Sequence, residues 1–168
     1  VRARVTAVQK KLAWADAIEV VEASADRVAS VWPQAGPGGV GGGELAHLTP
    51  AAQRQWKERV IAGQLRRVGG EALAEAVSAL EGVRVAPAPG DEDPSDALTG
   101  RRSRIDVVID ADGRAGMHEF RGRRVIALDD MPLAVPAIRE LGLFDEDSPW
   151  RRLWKPGDRV RAVAPSGG

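Results

Sequence analysis

The residues of this sequence whose types and spacing could perform chemistry are basic ones. Arg102 and Arg104 stand two residues apart in a run with strand character, which predicts that both side chains leave the same face of a sheet. Guanidinium groups bind phosphate through paired donors. We therefore take these two arginines as the first candidates for binding a phosphate-bearing polymer.

Three segments concentrate basic residues, although the whole chain is neutral with 24 basic and 24 acidic residues. They are residues 51–68, 101–124 and 151–161. Segregated basic stretches can give a neutral domain a positive face for a polyanion. The alternative is an arginine-rich surface that is merely solvated. The full set of candidate nucleic-acid-binding residues is Arg102, Arg104, Lys10, Lys11, Arg54 and Lys57.

Other reactive residue types do not form a complete active site. His47 and His118 lie far apart with no partner at a characteristic spacing, so structural roles are favoured. The acidic run 91–93 lacks the spacing of a calcium-binding loop. The glycine run 38–43 is not followed by the Gly-Lys-Ser/Thr of a phosphate-binding loop. We predict no catalytic residue and no metal ligand.

The composition excludes several classes of protein. With 168 residues, of which 43% are hydrophobic and 29% charged, the chain is expected to be globular. The absence of cysteine excludes disulfides, thiolate zinc sites and a cysteine nucleophile. No stretch approaches the ~20 apolar residues of a membrane helix. We expect a cytoplasmic protein without a membrane partner, and a fragment, since it opens on Val1 within strand-like sequence.

Two strands are predicted at the start of the chain. Residues 2–8 and 16–23 have strand character, and a basic segment with one tryptophan, residues 9–14, joins them. Two strands cannot bury a core alone. This piece is therefore either the end of a small barrel or an arm docked on the rest.

The remainder alternates between helix and strand signals. Thr49 and Pro50 open a helix that should end at Gly69 and Gly70, and a second helix is expected over 71–80. A short helix is predicted over 136–141, and strands over 102–110, 115–120, 123–128 and 158–163. The class is α+β, with an antiparallel sheet and two or three helices.

The order of several motifs resembles one family. Residues 33–47 read Pro-Gln-Ala-Gly-Pro-Gly-Gly-Val-Gly-Gly-Gly-Glu-Leu-Ala-His. They resemble the cluster loop of the RNA uracil C5-methyltransferases, whose pattern is Cys-Pro-x-Ala-Gly-Pro-Gly-x-Cys-Gly-Gly-Cys-x-x-x-His. The resemblance continues through residues 49–70, 100–104, 112–116 and 129–133.

The resemblance implies a division into three segments. Residues 1–28 resemble the C-terminal half of the family's TRAM domain, an OB-like RNA-binding barrel. Residues 29–47 correspond to the cluster loop, and residues 48–168 to a central α+β domain. Arg102 matches an arginine of the family's RNA-facing surface, while Arg101 replaces the aromatic residue before it.

The family's four cluster cysteines are replaced in this chain. They would fall at Trp32, Val40, Gly43 and Met131. A cluster without any thiolate has nothing to hold it. We expect the cluster to be lost and its volume to be filled by the three apolar side chains.

The family's catalytic domain, with its S-adenosylmethionine site, lies beyond the residues that match. The resemblance thus implies the RNA-recognition portion of an rRNA or tRNA uracil C5-methyltransferase, without a cofactor of its own and inactive alone. Its partners would be RNA and possibly its own methyltransferase domain. The alternative is a non-catalytic structural or protein-interaction module derived from that family.

Overall fold

The computed structural model of the chain describes residues 1–93 and 98–165. Residues 94–97, which follow the acidic run 91–93, and residues 166–168, the last three of the third predicted segment, lie outside the described residues. Among the described residues, no helix combines the length and the apolar character needed to cross a bilayer.

An antiparallel hairpin opens the chain, and every residue of its two strands is exposed. Strand β1 spans Arg2–Gln9 and strand β2 spans Leu12–Glu19, with Lys10 and Lys11 at the turn. The predicted bounds of the second strand, 16–23, were therefore wrong. Because two residues suffice to reverse an antiparallel pair, Trp14 lies within β2 opposite Ala7 rather than in a connecting segment.

A glycine-rich loop, residues 32–47, and a long helix follow. The loop begins with a 3₁₀ turn at Pro33–Ala35, and helix α1 spans Pro50–Ala79. The Thr49 hydroxyl accepts a hydrogen bond from the Ala52 N–H at 3.3 Å, which caps the helix. Gly70 has φ 81° and ψ 174°, so the helix is interrupted where the sequence predicted an end.

Four further strands follow: β3 at Arg104–Ile109, β4 at Ala115–His118, β5 at Val125–Ala127 and β6 at Arg159–Val163. They form one antiparallel sheet in the order β5-β4-β3-β6. A short helix, α2, spans Pro136–Arg139, and a 3₁₀ turn spans Pro149–Arg152. The predicted α+β class is confirmed, whereas the TRAM assignment and the three segment boundaries stay predictions.

Arg102 lies outside strand β3, contrary to the sequence interpretation. Its N–H donates to the Leu133 carbonyl at 2.7 Å, and its carbonyl accepts from the Val135 N–H at 3.0 Å. The backbone before Arg104 therefore pairs with the segment preceding α2 instead of continuing the sheet. Strand β3 begins at Arg104, two residues after Arg102, so the strand alternation that predicted a shared face for the two side chains does not include Arg102.

The hydrophobic core covers one face of the sheet. Alternate residues of β3, Ile105, Val107 and Ile109, are buried there. They share the core with residues from the glycine-rich loop and from the segments after β5, namely Trp32, Val40, Leu128, Met131, Ile138 and Leu143. The opposite face of the sheet is consequently free to carry charge.

Candidate nucleic-acid interface

Three arginines surround one carboxylate on the solvent face of the sheet. In the register of β3 with β6, Asp106 pairs with Arg161, while Arg104 and Arg159 belong to the next pairs on the same face, two positions away on either side. Directly opposed residues of antiparallel strands project from the same face, and the buried positions of β3 alternate with these. We call Arg104, Asp106, Arg159 and Arg161 the sheet-face cluster.

Asp106 binds one arginine of this cluster and is influenced by all three. Its carboxylate accepts from Arg161 Nε at 2.6 Å and from Arg161 Nη2 at 3.3 Å. The hydrogen bond from Arg161 holds the pKa of Asp106 below its usual range, and the positive charges of Arg161, Arg104 and Arg159 act in the same direction. The same pair raises the pKa of Arg161.

The charges of the cluster do not cancel. Three guanidinium groups and one carboxylate give it a net charge of +2. Within the described part of the chain, neither Arg104 nor Arg159 comes within ion-pair distance of a carboxylate. Two exposed cations are therefore available to phosphate groups.

An open groove of about 530 Å³ adjoins the cluster. Arg159 forms one part of its wall, and Val108, Val125 and His118 form others. His118 Nδ1 lies 3.1 Å from the Arg123 carbonyl oxygen, which fixes the imidazole at the rim. Asp110 and Asp112 also line the groove, so cationic, apolar and acidic groups meet at this place.

A second basic surface lies at the glycine-rich loop. Arg102 reaches this loop, since a Cβ on Gly42 would lie 3.4 Å from Arg102 Nη2. The Gly42 N–H donates to Glu44 Oε1 at 2.9 Å, and this bond is the main reason why the pKa of Glu44 is lowered, with a smaller effect from the charge of Arg102. Arg102 and Arg104, predicted as a pair, are thus assigned to two different surfaces.

The other four candidate residues are distributed over the hairpin and helix α1. Lys10, Lys11 and Lys57 are exposed. Arg54 is half-buried, and its charge contributes to lowering the pKa of Asp91, although the 2.6 Å hydrogen bond from Arg101 is the largest cause. Nothing in the described residues joins these four to the sheet-face cluster.

The comparisons with known proteins give a consistent set of names. The chain is 39% identical over 153 residues to a Streptomyces avermitilis protein named uncharacterized RNA methyltransferase. It is 31% identical over 156 residues to a Bifidobacterium longum protein named uncharacterized RNA methyltransferase BL1394. These relatives are RNA methyltransferases by name. A Halomonas elongata relative, 37% identical over 145 residues, is named 23S rRNA (uracil(1939)-C(5))-methyltransferase RlmD.

The chain spans about a third of the length of these RNA methyltransferase relatives. The three matches cover 91%, 89% and 84% of this chain, but 33%, 33% and 26% of the relatives. No protein-family model matches the chain. The similarity therefore connects these residues with one segment of RNA methyltransferases.

The positions that resemble the cluster loop do not fit an iron–sulfur cluster. Trp32, Val40 and Met131 are buried, with 2%, 7% and 1% of their surface exposed, and none carries a thiolate. A Cβ on Gly43 would lie 2.8 Å from the Cβ of Ala35, so the fourth position has no room for a side chain in this packing. Among the described residues, no group of three His, Cys, Asp or Glu side chains could hold a metal ion.

Sequence reasoning missed Asp106, Arg159 and Arg161 as members of the candidate site. The alternation of Arg159 and Arg161 with apolar residues was visible in the sequence, as was the alternation around Asp106. What was absent was the register that places β6 beside β3, 50 residues and more away along the chain.

Proposed function

We propose that this chain is the RNA-recognition portion of an RNA uracil C5-methyltransferase acting on rRNA or tRNA. The observation that carries the proposal is the sheet-face cluster, in which three arginines converge on one carboxylate and retain a net positive charge. The names of the relatives support the substrate class, and the name of the Halomonas elongata relative supports uracil C5 as the target atom.

In this proposal the chain positions RNA and does not perform the methyl transfer. Arg104 and Arg159 bind backbone phosphates, while Asp106 keeps Arg161 in a fixed orientation between them. The adjoining groove then receives the nucleotide between those phosphates. S-adenosylmethionine binding and catalysis are proposed to belong to residues outside this chain, so the chain alone should transfer no methyl group to RNA.

The test is the salt dependence of RNA binding. Binding of a fluorescent single-stranded RNA by the wild type should weaken as salt rises, and Arg104→Ala with Arg159→Ala should reduce the slope of log K against log salt. The expected reduction is about 0.7 for each phosphate that the variant no longer binds. The matched control is Arg66→Ala with Arg139→Ala, which removes the same charge from arginines already paired with Glu71 and Asp130. A salt-independent affinity, or an equal reduction in the control, would contradict the proposal.

We also propose that the chain holds no iron–sulfur cluster. The supporting observation is the buried apolar packing of Trp32, Val40 and Met131 at three of the four positions. Iron and sulfide should be measured in protein purified anaerobically. Substoichiometric iron is expected, and iron in a stoichiometric ratio with sulfide would overturn this part of the proposal.

One observation favours the alternative of a protein-interaction module. The apolar side chains along helix α1 are exposed, among them Trp56, Val60, Ile61 and Val68. In that case the double substitution of Arg104 and Arg159 would change no binding, while Trp56→Ala would abolish association with a protein partner. The RNA-binding measurement above separates the two functions directly.

A further inference from the structure

We propose that the turn at residues 119–122 is a stacking site for one unpaired RNA base, with Arg121 and Phe120 as the stacking pair. This inference rests on the proposed RNA-binding function but concerns a surface distinct from the sheet-face cluster. It assigns a contact to a nucleobase, whereas the cluster contacts the phosphate backbone.

The backbone of this turn is held in an unfavourable conformation. The Gly122 N–H donates to the Glu119 carbonyl at 2.8 Å, which closes the turn around Phe120 and Arg121. Arg121 has φ 59°, in the left-handed region that side chains other than glycine rarely adopt. Glycine or asparagine is the ordinary residue at a turn position with positive φ. Arg121 is one of three described non-glycine residues with positive φ, and such strained positions cluster at functional sites.

The glycine-rich loop fixes the aromatic ring of this pair. The Phe120 N–H donates to the Gly39 carbonyl at 2.9 Å. A Cβ on Gly41 would lie 3.0 Å from Cδ2 of the ring, so the loop backbone approaches the ring as closely as glycine permits. Even so, 54% of the surface of Phe120 is exposed. The ring is thus positioned by the loop without being buried in the core.

The guanidinium group of Arg121 lies over that ring. Its Cζ is 5.0 Å from the ring centroid, within the range of a cation–π interaction. This contact orders an exposed arginine and leaves its outer side in solvent. The planes of guanidinium groups and aromatic rings are the surfaces on which proteins stack the splayed bases of single-stranded RNA.

A phosphate-binding group lies next to the stacking pair. A Cβ added at Gly41 would meet the Phe120 ring, and one added at the following residue, Gly42, would lie 3.4 Å from Arg102 Nη2, so the loop brings Arg102 near the pair. In the described part of the chain, Arg102 forms no ion pair, although its charge acts on the nearby carboxylate of Glu44. One nucleotide can therefore place its base on Arg121 and its phosphate at Arg102. Duplex RNA, whose bases are stacked in pairs, should not use this site.

The experiment measures the affinity of the full chain for a single-stranded oligouridylate at fixed salt, with unfolding stability measured in parallel. Arg121→Gly should leave the stability unchanged or raise it, because glycine accepts the positive φ. It should weaken RNA binding about tenfold, the effect of removing one stacked base. The matched control is Arg123→Ala, which removes the same charge two residues away and should weaken binding much less.

Two substitutions of Phe120 test the aromatic contribution. Phe120→Leu keeps an apolar side chain but removes the ring, and it should weaken binding of the oligouridylate while leaving binding of a duplex unchanged. Phe120→Trp should preserve binding of the single strand.

The outcomes separate this inference from the proposed function. Equally weakened binding in Arg121→Gly and Arg123→Ala would show a general charge effect and overturn the stacking site. Normal binding in Arg121→Gly and Phe120→Leu, with weakened binding in the Arg104 and Arg159 double variant, would overturn the stacking site and leave the proposed function intact. A wild-type chain that binds neither RNA would overturn both.

Discussion

At the scale of single residues, Asp106 determines how much positive charge the sheet presents to solvent. Its carboxylate accepts two hydrogen bonds from Arg161 and lies within electrostatic reach of two more arginines. Arg104 was a candidate from the sequence because it lies only two residues from Arg102. Arg159 and Arg161 were not, because their proximity to Asp106 depends on pairing between distant strands.

Removal of the Asp106 charge should strengthen RNA binding. In Asp106→Asn, Arg161 is released from its carboxylate partner and becomes available to phosphate, so the affinity for RNA should rise and depend more steeply on salt. The measurement is the titration of labelled RNA at several salt concentrations. Glu146→Gln, an exposed position with the same change in charge, is the control. Unchanged or weaker binding in Asp106→Asn would contradict the proposed role of the cluster.

Acid should destabilise the fold because it protonates carboxylates whose charged form is stabilised by folding. The hydrogen bond from Arg101 is the main reason why the pKa of Asp91 lies below its usual range. A carboxyl whose pKa is lowered by folding stabilises the native state above its unfolded pKa of about 4, and this stabilisation disappears as pH falls through the folded value. Asp91→Asn should therefore reduce the free energy of unfolding more at pH 7 than at pH 3. Its neighbour Glu92, exposed, serves as the control through Glu92→Gln. A pH-independent difference would contradict this account.

At the scale of elements, the glycine-rich loop is attached to the sheet by buried side chains. Trp32 and Val40 enter the core, and Gln34 bridges the loop to the sheet side by donating to the Ala127 carbonyl at 3.1 Å and accepting from the Asp129 N–H at 3.0 Å. The sequence revealed the loop as a break between helix and strand signals. Composition could not reveal this attachment, because glycine and proline report backbone freedom rather than contacts across the fold.

Truncation of Trp32 should show how much this attachment contributes to the free energy of unfolding. Trp32→Ala should lower the free energy of unfolding by about 3–5 kcal/mol, the range for a large aromatic residue in a core. Trp32→Phe should be milder, because it keeps a ring and removes an indole N–H that is buried without a hydrogen-bond partner among the described residues. Denaturant titration measures both. Trp56→Ala, on the exposed side of α1, is the control, and an equal destabilisation at Trp56 would contradict the assignment.

At the scale of the whole molecule, local sequence signals determine which segments form helices and strands. Pairing with distant segments determines where each strand begins and ends. The break at Gly70 and the α+β class were predicted because capping residues and strand alternation are local properties. The start of β2 at Leu12 and of β3 at Arg104 was not, since each is set by a partner strand or segment. The hairpin shows the same difference. The strand character of its residues was visible in the sequence, whereas the exposure of both its faces was not.

Deletion of the hairpin should leave the rest of the fold intact. No residue of β1 or β2 is buried. Among the described residues, backbone hydrogen bonds to the rest of the fold begin at Asp26, whose carbonyl accepts from the Thr49 N–H at 2.9 Å. Removal of residues 1–22 should therefore leave the midpoint of thermal unfolding unchanged. A clear fall in the midpoint would show that the hairpin stabilises the rest of the fold.

Strand β6 forms one edge of the described sheet, and this position gives its arginines a second consequence. The outer backbone of an edge strand is a template on which another extended chain can assemble, and charged side chains oppose such assembly by mutual repulsion. Arg159 and Arg161 place two like charges on the edge of every copy. Arg159, which is proposed to bind RNA, and Arg161 would thus also keep the protein from aggregating at high concentration, and a variant without them should become less soluble.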